Sequence, residues 1–374
     1  MPYVQIGRHR VNYGLRGEEG RDVIVFINGL TQTTSLWVNY QEWLAQQGYR
    51  VLAYDSLGQG MSSKPVLGIR LEDHADVLVG LLDELGIRQA FIAGISFGGV
   101  VAQHVAINHP ERVHGLIPMS TFSEMPTQLE LFGIAFHSAI TQAGFPLIQS
   151  LLLPMNFSTN WLSMARNSLP ESMRRGYAMN DPYAIQNLME SYVNFRSFTA
   201  DLNKIKCPTL ILNGEYDFLT PRLCHEILRL NIANSRLMII QHAYHAFTLE
   251  YPEVTMRVIE AFVRSVREGR WQGDQSVWVA SDNPQSEVLA TRYVGDHLRS
   301  VFIPQQSDVF DEWSMTLAGN EAAKKTVAPS AKPKAPAKKA AANSPKAKPA
   351  TIKKPRSAST PASAAKTGAT PTKR

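Results

Sequence analysis

The stretch FIAGISFGGVVAQHVA, residues 91–106, decides how the chain is read. A short apolar run ends in a single serine, Ser96, bracketed by glycines at 94, 98 and 99. An ordinary strand-to-helix connection does not need three glycines. Gly94-Ile95-Ser96-Phe97-Gly98 has the G-x-S-x-G form of a nucleophile elbow, a sharp turn that forces strained angles on the serine and lifts its hydroxyl off the sheet. Flanking glycines are needed because a Cβ there would strike the neighbouring strand and helix. The following helix starts with unpaired N–H groups, which suit a developing negative charge.

Working outward, the same strand–helix rhythm recurs. Residues 3–15 alternate around Gly7 and read as an antiparallel hairpin. DVIVFI (22–27), RVLAYD (50–55), AFIAG (90–94) and VHGLIPM (113–119) are continuous apolar runs, as expected of strands buried on both faces. Helices are predicted over 36–47, 71–86 and 100–108 from their apolar spacing. Alternation at this pitch implies a mostly parallel sheet with right-handed crossovers.

The rhythm breaks over 122–202, where LFGIAFHSAI, FPLIQSLLLPMNF and AIQNLMESYVNF are helical patterns without a strand. It resumes with TLILNG (209–214), a helix over 221–230, SRLMII (235–240) and a helix over 251–267. The expected division is therefore a core of 1–121 and 203–270, with a helical insertion at 122–202. In the segment 271–320, VWVAS is predicted as a strand and VLATRYVGDHLRSVFI as a helix.

A serine hydroxyl is a weak nucleophile until a base takes its proton. At an elbow of this kind the partners follow in the order serine, acid, histidine. Asp217 stands in the loop after TLILNG, and His245 in the loop after SRLMII, before the last helix. His245 is assigned as the base and Asp217 as the group that holds its tautomer and stabilises the imidazolium. The rival His242 lies three residues earlier; His104, His109 and His114 fall on or after the elbow helix and are expected to point elsewhere. The oxyanion is expected to be held by the N–H of Phe97 and by that of Leu30, in the loop NGLTQTT after DVIVFI. Each residue alone has a duller reading as a turn or surface residue; their order along the chain is what points to catalysis.

Composition divides the chain. Residues 321–374 hold fourteen Lys or Arg, one acidic residue, eight prolines and no aromatic residue. Removing them from totals of 38 basic and 32 acidic residues leaves 24 and 31, so the body is acidic and the tail strongly basic. Such a tail cannot bury enough apolar surface to offset chain entropy and is expected to be disordered. Two cysteines, Cys207 and Cys224, are too few for a disulfide framework. With no signal-peptide core at the amino terminus and no spanning apolar run, a cytoplasmic location is expected. DSLGQGMSS (55–63) has Ser63 where a dinucleotide fingerprint needs its third glycine, and no Cys/His cluster has metal spacing. No cofactor and no metal are expected.

Over residues 3–268 the pieces NGL, YDSLGQGMSS, GISFGG, HPERVHGLI, CPTLILNGEYD and AYHAF…YPE together resemble the α/β-hydrolase superfamily. The resemblance implies an α/β fold: a mostly parallel eight-stranded sheet with helices on both faces, and 122–202 as a cap over the site. Asn28-Gly29, where many members carry His-Gly, is similar to intracellular polyhydroxyalkanoate depolymerases and hydroxyacyl transferases. Serine rather than aspartate at the elbow implies acyl chemistry through an acyl-serine. The apolar cap suggests an apolar acyl pocket, or simply the cap's own core. The tail resembles histone H1-like extensions of some bacterial nucleoid and granule-associated proteins; its charge would bind DNA or another polyanion by counterion release, or serve only to solubilise.

The leading expectation is a serine hydrolase (a carboxylic ester hydrolase) acting on a small-molecule or oligomeric ester or thioester, possible substrates including a hydroxyalkanoate. An acyltransferase with the same triad and a non-catalytic tethering protein are the alternatives.

Overall fold

The computed structural model describes residues 2–193, 195–295 and 309–310. The chain divides into Met1–Ala318 and a second unit, Gly319–Arg374, which lies wholly outside the described residues, as does the expectation of a disordered tail.

The first unit opens with the hairpin β1 (Tyr3–Ile6) and β2 (His9–Arg16). There follow β3 (Val23–Ile27), α1 (Val38–Gln46), β4 (Arg50–Tyr54), α2 (Leu71–Glu84), β5 (Ala90–Ile95), α3 (Phe97–Asn108) and β6 (Val113–Met119). Five helices come next: α4 (Thr127–Ala143), α5 (Phe145–Asn156), α6 (Thr159–Ala165), α7 (Leu169–Met179) and α8 (Pro182–Val193). The alternation then resumes with β7 (Thr209–Gly214), α9 (Arg222–Asn231), β8 (Ser235–Ile240), α10 (Phe247–Glu250) and α11 (Pro252–Arg267). Strands β9 (Val277–Ala280), β10 (Ala290–Tyr293) and β11 (Val309–Phe310) close the described chain.

One sheet runs β1-β2-β4-β3-β5-β6-β7-β8-β9-β10-β11, parallel from β4 through β9. Successive residues of β3 feed opposite cores: Val25 and Ile27 join α2 and α3 on one face, and Ile24 and Phe26 join α1 and α11 on the other. This is why the strand reads as an unbroken apolar run.

Two expectations need correction. Among the described residues the sheet has eleven strands, not eight: β1–β8 are the expected set, β9 is the strand expected at VWVAS, and β10 and β11 extend the sheet further. Without β9 the fully buried β8 would be an open edge. Residues 290–293, read as helix, form β10, which pairs antiparallel with β9 in register Ala290↔Ala280 to Tyr293↔Val277. Pairing, not local spacing, sets their conformation; the rest of that expected helix, from 296, lies outside the described residues. The extension is anchored by Arg236 of β8, which donates from Nε to Asp274 at 2.9 Å and lies over the Trp271 and Trp278 rings.

Among the described residues no helix is long and apolar enough to cross a membrane.

Candidate active site

The C-terminal ends of the parallel strands carry Ser96, Asp217, His245 and the loop of Leu30. Ser96 sits between β5 and α3 with φ 54 and ψ −118, in the left-handed half of backbone space that a non-glycine residue occupies only under constraint. The flanking glycines explain how the turn closes. A Cβ on Gly94 would lie 2.1 Å from the Gly98 carbonyl oxygen, and one on Gly98 would lie 2.4 Å from that of Ile27. The first turn of α3 therefore rests on the backbone at the end of β3. Ser96 is partly exposed, whereas Ile95 and Phe97 beside it are buried.

That contact brings the elbow against the loop holding Leu30. The Gln32 N–H donates to the Gly29 carbonyl at 3.2 Å, and Thr31 at φ 67 completes a tight turn with Leu30 at its second position. Gln32 Oε1 accepts the Gly29 N–H at 2.9 Å, and Trp37 Nε1 donates to Asn28 Oδ1 at 2.7 Å. Phe97 is the first residue of α3, so its N–H has no acceptor within the helix.

The loop after β4 is braced by Asp55, which is fully buried. Its Oδ1 accepts the Thr34 N–H at 2.8 Å; its Oδ2 accepts from Asn12 Nδ2 at 2.7 Å and from the Met61 N–H at 2.9 Å. Asp55 thus ties the segments after β3 and β4 to strand β2.

Asp217 and His245 meet. His245 Nδ1 lies 2.9 Å from Asp217 Oδ2 and 3.0 Å from Oδ1. The N–H groups of Leu219 and Thr220 donate to Oδ1 at 3.1 and 3.0 Å, and Thr220 Oγ1 donates to Oδ2 at 2.8 Å. Burial by itself would raise the Asp217 pKa; the charge and hydrogen bond of His245, together with the nearby His225 and the Thr220 N–H, outweigh it and leave the carboxyl below its ordinary value. An ionised Asp217 holds the proton of His245 on Nδ1 and leaves Nε2 as the basic nitrogen. His242 has 57% of its side chain exposed and pairs instead with Asp282, at 2.8 Å. His104 packs on Phe198, His109 meets Asp76 and His114 meets Gln89, so none of the four turns toward Asp217. Burial pushes both thiols, Cys207 and Cys224, up to about 12, so neither is a thiolate at neutral pH.

The inserted helices reach this rim at several points. The Ala246 N–H, next to His245, donates to the carbonyl of Asn156 at 3.0 Å. Glu250 accepts from the Ser158 N–H with one oxygen and from the Tyr244 N–H with the other, both at 3.1 Å. Asn180 Nδ2 donates to the Thr31 carbonyl at 3.0 Å. Phe145, Ile148, Ile185 and Leu188 are buried in the same cluster as α2 and α3, so part of the insertion's apolar content is packing.

Sequence reading missed Thr220, Glu250 and two buried histidines. The local part of this had a signal: an Asp in a loop accepts backbone N–H groups just after it, here those of Leu219 and Thr220. His225 and His74 had none, since nothing local marks a histidine for burial. His74 stacks edge-on against Phe97 with ring centroids 5.0 Å apart, and its Nε2 has no hydrogen-bond partner. Burial lowers its pKa to about 4. A folded pKa below the unfolded one means stability is complete above pH 6.5 and drains as pH falls toward 4, where the unfolded chain binds the proton more readily. The loss from this one group is about 3 kcal/mol. His74→Leu is expected to remove that increment, narrowing the gap between urea-unfolding free energies at pH 7 and pH 4; an unchanged gap contradicts the assignment.

A family model for the alpha/beta hydrolase fold matches residues 22–252. The chain belongs to this family. Among curated relatives, 3-oxoadipate enol-lactonase 2 of Acinetobacter baylyi is 27% identical over 264 residues, covering 68% of this chain and 93% of the relative. The 2-hydroxy-6-oxononadienedioate/2-hydroxy-6-oxononatrienedioate hydrolase of Burkholderia vietnamiensis is 29% identical over 272 residues, 68% of this chain and 91% of that one. Among solved structures, the enol-lactonase from Burkholderia xenovorans LB400 superposes with a TM-score of 0.65 at 22% identity, covering 70% of this chain and all (100%) of that one. This alpha/beta hydrolase is thus a hydrolase among hydrolases, and its core and inserted helices span nearly the whole of those relatives.

Proposed function

We propose that this alpha/beta hydrolase cleaves carboxylic esters, thioesters or lactones with an apolar acyl part through an acyl-serine intermediate. The observation that carries the reading is the His245–Asp217 pair, at 2.9 and 3.0 Å, on the rim that also presents the strained Ser96. His245 Nε2 takes the proton of Ser96 as Oγ attacks the acyl carbon. The N–H groups of Phe97 and Leu30 receive the negative charge that builds on the carbonyl oxygen. The tetrahedral adduct collapses, the proton passes from His245 to the leaving oxygen or sulfur, and the acyl group stays on Ser96. Water, deprotonated by His245, then attacks the acyl-enzyme, and Ser96 recovers its proton as the acid departs. The lactone named for the enol-lactonase relatives is a cyclic ester, which supports the inclusion of esters and lactones in this class.

The test is release of nitrophenol from a series of acyl-nitrophenyl esters, run beside hydroxyacyl oligomers and a lactone, with Ser96→Ala as the control. Added alcohol that diverts the acyl group into a new ester, at the expense of free acid, would identify an acyltransferase instead.

The basic segment 321–374 is proposed to bind polyanions without sequence preference. Its fourteen basic residues, with no aromatic ring for base stacking, support that reading. Deleting 321–374 is expected to leave turnover of a small soluble ester within about twofold and to abolish salt-sensitive retention on immobilised DNA. Retention that survives the deletion would move the contact to the body of the chain.

A further inference from the structure

Ser120 and Thr121 follow β6 and are both fully buried. Strand β6 lies beside β5, so these two residues sit directly alongside the elbow. The Ser96 N–H donates to the Met119 carbonyl at 2.8 Å, and the Ser120 N–H donates across to Leu212 of β7 at 2.9 Å. Ser120 then turns at φ 41, a left-handed conformation in a non-glycine residue. The turn sends the two hydroxyls in different directions. Thr121 Oγ1 donates to the carbonyl of Ser96 at 2.8 Å, and Ser120 Oγ donates to the carbonyl of His245 at 3.0 Å. Two adjacent hydroxyls thus grip the backbones of the two residues between which the proton must pass.

The grip is itself held. The Thr121 N–H donates to His225 Nε2 at 3.0 Å. For Nε2 to accept, the ring proton must be on Nδ1, which lies 3.3 Å from the Pro221 carbonyl. Burial lowers the His225 pKa to about 4, against the pull of Asp217, so the ring is neutral at pH 7. On its other side Thr121 is packed against α3: a Cβ on Gly99 would lie 2.6 Å from Thr121 Cβ.

Resting on the serine-hydrolase reading above, we infer that Ser120 and Thr121, braced by His225, are positioning residues that set the spacing between Ser96 and His245. They touch neither substrate nor the reacting atoms. A misplacement of about 1 Å costs on the order of 10²-fold in rate, so loss of one hydroxyl is expected to act on kcat and not on substrate binding.

The experiment compares Thr121→Val, close in shape but lacking the donor, with Thr121→Ser, which restores it. Expected for Thr121→Val are a kcat lowered about 10- to 100-fold, a KM within about twofold, and an equal fall in the rate of inactivation by a small fluorophosphonate. Thr121→Ser is expected to return both rates to within about threefold of the parent. The fluorophosphonate rate reads Ser96 reactivity per folded molecule, which a purely structural role would leave alone. If Thr121→Val keeps full kcat and labelling while Ser96→Ala is inactive, the positioning role is wrong and the hydrolase reading stands. If Ser96→Ala itself keeps full activity, the hydrolase reading fails first. Should Thr121→Val not fold, Ser120→Ala removes only the donor to His245 and is judged by the same two rates.

Discussion

Alanine at position 96 is expected to lower ester turnover by about 10⁴- to 10⁶-fold while leaving the folded state intact. Only the hydroxyl is lost, and the elbow itself offers no second nucleophile. Both cysteines are held as thiols by burial, and the neighbouring residues on the elbow are Ile95 and Phe97. The residual rate over water is what the oxyanion N–H groups supply alone, on the order of 10³-fold. Stability offers a second check at the same position. Serine at φ 54 is strained and alanine keeps the strain, whereas Ser96→Gly relieves it and is expected to raise stability by about 1 kcal/mol. Both variants should be inactive and both folded, with the glycine variant melting higher. Nitrophenyl ester assays and thermal unfolding decide it; turnover near the parent rate in Ser96→Ala would remove the nucleophile from the proposal.

Asp217→Asn is expected to lower kcat about 10³- to 10⁴-fold. The geometry gives the reason. Oδ1 receives the N–H groups of Leu219 and Thr220, Oδ2 receives the Thr220 hydroxyl and the Asn213 amide N–H, and His245 Nδ1 faces both oxygens. An asparagine must place its NH₂ on one side or the other. Facing the backbone, it sets donor against donor. Facing His245, it forces the proton onto Nε2, the nitrogen proposed to accept from Ser96. Either choice also leaves a buried group unsatisfied, at a cost of about 1–3 kcal/mol in stability. The predicted loss is therefore in kcat, with KM little changed and the melting temperature lowered. A kcat within about tenfold of the parent would show that His245 takes its orientation elsewhere.

The ease with which different parts of the chain are read follows from where their determinants lie. DVIVFI and TLILNG are buried on both faces, and a run of that kind has few other places to go. The elbow reads as clearly, because only glycine tolerates contacts of 2.1 and 2.4 Å from a would-be Cβ to backbone oxygen. Residues 290–293 read as helix because a strand of four residues has too little pattern of its own; β9 makes it a strand. Order along the chain does not separate His242 from His245, since both follow Asp217 in one loop; it is their carboxylate partners, Asp282 and Asp217, that separate them in space. Nothing in the sequence marks Ser120, Thr121 or His225, because a hydroxyl and an imidazole look alike at any buried or exposed position until their acceptors are known.

By itself, then, the sequence determined the alternation of strands and helices and the place of the elbow, since periodicity and glycine sterics are local properties. Only the tertiary structure decided which imidazole the carboxyl holds, how the inserted helices fasten to the histidine loop, and what braces the serine. Those are hydrogen bonds between residues up to 125 positions apart, as from Ser120 to His245, and a donor's partner is set by where the chain returns, not by its neighbours along it.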